Sequence, residues 1–229
     1  MVEKVSNYLL DNFLYRGEKV EGDEREIMLF GITRVVEDIP KYLFVFIVGL
    51  FLHVLPELGI VMAVTVFYKT LIGGAHARTN FECFIYTSLF FYIPVVIAKF
   101  LYVSDIYIYI AAAIIYLYSL FVIYKHAPSD TEEVPILNKE KRKKYKIYAL
   151  VLITVIYVVS FVIFRYNSEI PKIVFSTVFL INFFTSKFMY KILRCKHSYE
   201  SEEFKEYYNV SKEWYIYILF FIYKIRNNC

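Results

Sequence analysis

Cysteine is scarce and scattered: Cys83, Cys195 and Cys229 are the three in 229 residues. No disulfide framework is legible in that spacing. A charge excess is missing too, with 26 Lys+Arg against 22 Asp+Glu. So even a balance gives nucleic-acid binding little support, and no nucleic-acid partner is expected. No H-E-x-x-H run is present, which removes a zincin-type membrane metalloprotease. G-x-G-D and G-x-S-G runs are missing as well. Aspartyl intramembrane and rhomboid-like proteases therefore lose their usual signatures. Residues 1–41 are too charged to hold the apolar core of a signal peptide, so a cleavable one is not expected. No internal repeat is visible.

What the chain has is apolar residues, 59% of the total, with 20% aromatic. Soluble domains run at about 45–50% by a narrower count. The excess sits in long uncharged runs, which excludes disorder and argues against a water-soluble enzyme. A helical span needs about 20 mostly apolar residues. Segments 106–124 and 147–164 carry no charge, and 83–101 carries only Lys99 near one end. The shorter run 173–186 is extended past Lys187 by Phe188, Met189 and Tyr190. Segment 42–68 is interrupted by His53, Pro56 and Glu57. It fits two short spans joined by a turn at 53–58, or one tilted, broken span.

The fold class expected is an all-α integral membrane protein with about six transmembrane helices and an N-terminal amphipathic interfacial region. One domain covers 1–229: region 1–41, spans within 42–190, and a cytoplasmic or interfacial tail at 191–229. In the first part, Met28, Leu29, Phe30, Ile32, Val35 and Val36 make an apolar face beside Glu26, Arg34 and Glu37. Such a helix lies on the membrane surface or packs on the ends of the spans. The run 214–223 is too short to span and is expected at the interface.

Orientation follows Lys and Arg. Loop 125–146 carries seven, the tail 187–229 eight, and residues 1–41 six. Connections 53–58 and 102–105 carry none, and 165–172 carries two. The basic segments are expected in the cytoplasm. Six spans put the N-terminus there as well; five would not.

The most informative stretch is Gly73-Gly74-Ala75-His76-Ala77-Arg78-Thr79-Asn80-Phe81-Glu82-Cys83. Two glycines permit a tight turn. Thr79 and Glu82 have capping-box spacing, which puts Cys83 in the first turn or so of a helix. A helix start favours a thiolate. In one continuous helix positions 76 and 83 would lie about 10 Å apart along the axis. With the helix starting near Thr79, His76 rides on a loop and can fold back to take the thiol proton. The plainer alternative is an interfacial His76 and a packed Cys83.

Gly73-Gly74-Ala75-His76 with Cys83 seven residues later resembles the accessory gene regulator B (AgrB) family, membrane-embedded cysteine peptidases of Gram-positive quorum sensing. Ala127-Pro128-Ser129-Asp130, followed by Pro135-Ile136, is a second match. The acidic stretch Thr131-Glu132-Glu133 departs from the family pattern. The resemblance implies a cysteine endopeptidase that removes the C-terminal tail of an AgrD-like propeptide. A thioester to the enzyme follows, then a cyclic thiolactone or lactone. By motif match Cys83 is the nucleophile and His76 the general base, then acid. No metal or cofactor is implied. The expected setting is the cell membrane, multi-pass, with catalytic residues at the cytoplasmic side. The family also suggests a homodimer.

Lys141, Arg142, Lys143 and Lys144 form a basic run that fixes topology and attracts anionic lipid. By resemblance it also docks the acidic propeptide tail. No third catalytic member is identified in the sequence; Glu82, Asp130 and Asn138 are the candidates for orienting His76. Cys195-Lys196-His197 offers two ligands, too few for zinc. Pro94 is expected to kink its span. A peptide exporter and a non-catalytic membrane scaffold are the competing functions. Few charges inside the spans weigh against an ion-coupled exporter.

Overall fold

Among the described residues, three helices begin at a side-chain cap. The computed structural model describes residues 2–14, 22–77, 79–131, 136 and 138–195. Its helices are α1 (Val2–Leu9, continued by a π-helical turn Leu10–Leu14), α2 (Asp23–Phe51), α3 (Leu55–Val64), α4 (Thr70–Ile72), α5 (Asn80–Phe100), α6 (Asp105–Lys125), α7 (Lys139–Phe164), α8 (Glu169–Phe184) and α9 (Lys187–Ile192). A π-helical turn, Thr65–Lys69, joins α3 to α4 in one rod, Leu55–Ile72. Thr79 and Glu82 form the capping box at α5, as their spacing predicts. Asn138 accepts from the amides of Glu140 and Lys141 to cap α7, and Ser186 caps α9.

Segment 42–68 is two helices. The chain turns within Leu52–Val54, tighter than the expected 53–58, and His53 takes φ +54°. Pro56 belongs to the first turn of α3, where its missing N–H costs nothing. Gly49 lets Leu58 pack directly on the α2 backbone. The amphipathic stretch is not a separate element either: α2 runs unbroken from Asp23 to Phe51, with Pro40 inside. Proline removes one helical hydrogen bond, and the contacts of α2 along α5 hold the helix on both sides of it. Tyr92 donates to the Val45 carbonyl, Phe44 meets Phe84, and Asn80 donates to Glu37.

Among the described residues, four helices are long and apolar enough to cross a membrane: Leu55–Ile72, Asn80–Phe100, Asp105–Lys125 and Lys139–Phe164. Their surfaces are inside out by soluble standards. On α7, Ile147, Val151, Val155, Val158 and Val162 are exposed, while Ala149, Ile153, Tyr157, Ser160 and Phe164 are inside. Both faces are apolar, at spacings of three and four residues. The inward one carries the small and hydroxylated residues that let helices approach in lipid.

Helix α8, only 16 residues, packs against α3, α5, α6 and α7 and carries the densest buried surface. Its Asn182 donates to Ser119 at 2.7 Å and accepts from Tyr68 at 3.0 Å. That ties α6, α8 and the Leu55–Ile72 rod through buried polar groups.

The connections sort to two ends. At one, Lys99 pairs with Glu57 at 2.7 Å and Lys172 donates to the Leu101 carbonyl. At the other, Gly73 pairs with Ser129 and Ala75 donates to Phe184. From the C-terminal part of α2 to α8, six segments therefore run alternately between the ends. The run 214–223 and Cys229 lie outside the described residues.

Tyr102 and Tyr166, both exposed, belong to the first end and Lys144 to the second. In a cysteine-free background, an impermeant maleimide applied to intact cells should label Tyr102→Cys and Tyr166→Cys but not Lys144→Cys. Equal outside labelling of Tyr102→Cys and Lys144→Cys would overturn this arrangement.

Candidate active site

A backbone seam sets the glycine-rich loop. The Ser129 amide donates to the Ile72 carbonyl at 2.8 Å, and the Gly74 amide donates to the Ser129 carbonyl at 3.1 Å. Gly73 adopts φ +73°, and a Cβ there would lie 1.8 Å from the Ser129 oxygen. Only glycine fits that approach. The Ala75 amide reaches the Phe184 carbonyl at 2.9 Å, fastening the next residue to α8.

Ala127-Pro128-Ser129-Asp130 is the strut behind the loop. Ser129 donates to the Tyr190 hydroxyl, and that hydroxyl donates to the Asp130 carbonyl, both at 3.0 Å. The buried Asp130 carboxylate pairs with Arg142 at 2.9 Å and accepts from the Ile136 amide at 2.9 Å. The two sequence motifs thus meet in space: one carries His76, and the other holds the loop that carries it. Arg78 and Pro135 lie outside the described residues.

His76 and Cys83 line one cavity of about 70 Å³, with Tyr42, Lys69, Tyr86, Thr87 and the aromatic wall of Phe90, Phe91 and Phe184 among the other residues. Cys83 follows the capped turn, and its amide makes a helical bond to the Thr79 carbonyl at 2.9 Å. The Glu82 carboxylate accepts from the Thr79 amide, so it reaches back as a capping residue does. The half-buried Cys83 sulfur accepts from Lys41 Nζ at 3.3 Å and has the Thr87 hydroxyl at 4.0 Å.

His76 stands at the cavity mouth. Burial, then the like charges of Lys69 and Arg34, push its imidazole below the ordinary histidine value, against the pull of Asp38. The side chain is itself exposed, so water at the mouth weakens the burial part. What survives is the direction, toward a neutral imidazole able to accept a proton.

Lys41 escapes a reading of the sequence, where it is the last charge before an apolar run. The structure buries it at 6% exposure and pairs it with Asp38 at 2.7 Å. The signal was a helical one: Glu37, Lys41 and Val45 recur every four residues and meet α5. Lys69 stands on the cavity wall.

The basic run divides. Arg142 belongs to the strut. Lys143 joins Lys125, Lys146 and Lys187 around a second cavity of about 550 Å³, which His126 and Asp130 also line. Lys141 lies over the Tyr145 ring, and Lys144 is exposed and lines neither cavity. Of the suggested orienters, Glu82 serves the cap of α5, Asp130 the strut and Asn138 the cap of α7. Cys195 packs near Ala75, Met189 and Tyr190; Lys196 and His197 lie outside the described residues. Among the described residues no three His, Cys, Asp or Glu side chains come together as a metal site would need.

The family model described as Accessory gene regulator B matches residues 2–186. A Clostridium perfringens (strain SM101 / Type A) protein named AgrB-like is 25% identical over 162 residues, 68% of this chain and 73% of its own length. A Clostridium acetobutylicum protein of the same name is 28% identical over 134 residues, 58% of this chain and 62% of its own. An AgrB-like protein 2 of Clostridium perfringens (strain 13 / Type A) is 25% identical over 178 residues, 73% and 80% respectively. No solved structure matches the chain.

Gly73→Ala must strain the backbone and push the Ser129 carbonyl out of the seam. It should cost about 2 kcal/mol or more, read as a lower unfolding midpoint of the detergent-solubilised protein. An unchanged midpoint would show that the seam contributes little.

Proposed function

The chain belongs to the accessory gene regulator B family, and from that premise we propose that it is a membrane-embedded cysteine endopeptidase acting on an AgrD-like propeptide. The observation that carries this reading is His76 and Cys83 on one cavity wall, one on a pinned loop and the other just behind a helix start. The basic segments 125–146 and 187–229, together with a six-span reading, support a cytoplasmic position for this cavity.

His76 takes the Cys83 thiol proton, and the thiolate attacks the carbonyl carbon of the scissile bond. The tetrahedral intermediate collapses, the C–N bond breaks, and His76 returns the proton to the departing amine. The N-terminal part of the propeptide is left on Cys83 as a thioester. A thiol or hydroxyl within that peptide then attacks the thioester, closing a thiolactone or lactone and releasing the Cys83 thiolate. A thioester conserves acyl-transfer energy that hydrolysis would lose. The aromatic walls of Phe90, Phe91 and Phe184 favour that outcome by limiting water around the sulfur. The Lys125, Lys143, Lys146 and Lys187 cavity suits the acidic tail of the substrate.

Wild-type protein incubated with its propeptide should gain the mass of the N-terminal fragment in a hydroxylamine-labile bond at Cys83. Cys83→Ala should release no tail, while Cys195→Ser and Cys229→Ser should remain active. An adduct elsewhere, or cleavage by Cys83→Ala, would refute the assignment. The lowered His76 value has a defined sign: a base works deprotonated, so its acidic limb should fall below about pH 6.5. His76→Ala should remove that limb along with most of the activity.

Changing Lys125, Lys143, Lys146 and Lys187 together to Gln should slow processing most at low salt. The gap to wild type should narrow as ionic strength rises, because screening weakens the attraction. Membrane insertion of the variant is checked first by labelling. Correctly inserted variant with unchanged processing at every ionic strength would leave these lysines only a topological role.

A further inference from the structure

We propose that the Lys41 ammonium is the counter-charge that favours the thiolate of Cys83, a positioning residue that acts through the sulfur. The inference deepens the peptidase assignment and rests on Cys83 being its nucleophile.

A lysine is almost never fully buried unless it is paired. Lys41 has two such partners: the Asp38 carboxylate at 2.7 Å and the Cys83 sulfur at 3.3 Å. A neutral thiol is a weak acceptor, whereas a thiolate turns the contact into a charge-assisted hydrogen bond, roughly twice as strong as a neutral one. The geometry therefore rewards the anion. Burial alone would lower the lysine's own pKa. Hydrogen bonds and charge from Asp38 and Cys83 outweigh that and raise it, so the side chain stays a cation.

Other groups surround the sulfur. Asp38 and Tyr42 come from α2, Lys69 from the Leu55–Ile72 rod, His76 from the loop, and Glu82 and Tyr86 from α5. Burial and the two carboxylates oppose the anion. Lys69 supports it, but Lys41 is the cation that makes a hydrogen bond to the sulfur.

On ionisation the S–H bond breaks, its electron pair stays on sulfur, and the proton goes to His76 or water. Lys41 gives up no proton. The same contact serves the second half of the reaction. When the peptide's own nucleophile attacks the thioester, the C–S pair returns to sulfur, and Lys41 stabilises the departing thiolate.

The test needs no propeptide. Full-length protein carrying Cys195→Ser and Cys229→Ser is treated with iodoacetamide from pH 5.5 to 9.5, and Cys83 alkylation is followed by intact mass. Lys41→Gln should react about tenfold more slowly at pH 6.5, because the charged donor to the sulfur is gone. The gap should close toward pH 9.5, a pH dependence that a merely structural role would not produce. Lys41→Arg should stay within about threefold of the parent, since it keeps the charge. Asp38→Asn leaves Lys41 in place and removes an opposing charge, so it should react at least as fast as the parent at pH 6.5. Equal rates for the parent and Lys41→Gln at pH 6.5 would overturn the proposal. So would a deficit that persists unchanged to pH 9.5, or an Asp38→Asn rate that falls with Lys41 intact. Because alkylation is read without peptide cleavage, this result and the peptidase assay can fail independently.

Discussion

Two backbone segments far apart in sequence meet where Gly73 has no side chain, and the position of the site depends on that meeting. Ser129 presses its carbonyl into the space a Cβ would fill and takes the amide of Gly74. Phe184 takes the amide of Ala75. The loop bearing His76 is therefore fastened to the start of the 126–131 segment and to the end of α8. Asp130, Arg142 and Tyr190 brace the same segment from α7 and α9. His76 owes its place beside the start of α5 to the whole bundle.

The bundle obeys the solvent it is built for. Large aliphatic residues of α6 and α7 face outward, and alanines, serines and Asn182 face inward. Inside, Tyr68, Asn182 and Ser119 satisfy one another, because an unmatched polar group in a dry interior is costly. Helix α8 is short for a span, about 24 Å at 1.5 Å per residue. It is packed on four other helices.

Chemistry at the site comes from a concentration of positive charge against an apolar wall. Lys41 bonds to the sulfur, Lys69 lines the cavity, and both, with Arg34, disfavour a proton on His76. Cations that stabilise an anionic sulfur and keep a nearby imidazole neutral suit a nucleophile and base of opposite charge preference. The second, lysine-lined cavity stands apart and shares no lining residue with the first. Ser129 lines it and also pairs with the active loop at Gly73 and Gly74. Under the proposed function, recognition of an acidic tail and chemistry at the sulfur would have separate surfaces.

Local patterns were legible in the sequence because they depend on neighbours along the chain. The uncharged runs announced a helical membrane protein, and Thr79 with Glu82 announced the start of α5. His76 and Cys83, which the motif singled out, line one cavity. Three features needed the tertiary structure. Region 1–41 looked separate from the spans, yet α2 runs from Asp23 through Pro40 to Phe51 because α5 supports it on both sides. The basic run looked like one surface, yet Arg142 pairs with Asp130 at a cavity that Lys143 also lines, while Lys144 lines neither cavity, since adjacent helical residues point about 100° apart. Lys41 carried only a four-residue periodicity with Glu37 and Val45, which names no partner. Its ammonium meets Cys83 only because a continuous α2 lies along α5, a contact between residues 42 positions apart that periodicity within either helix cannot reveal.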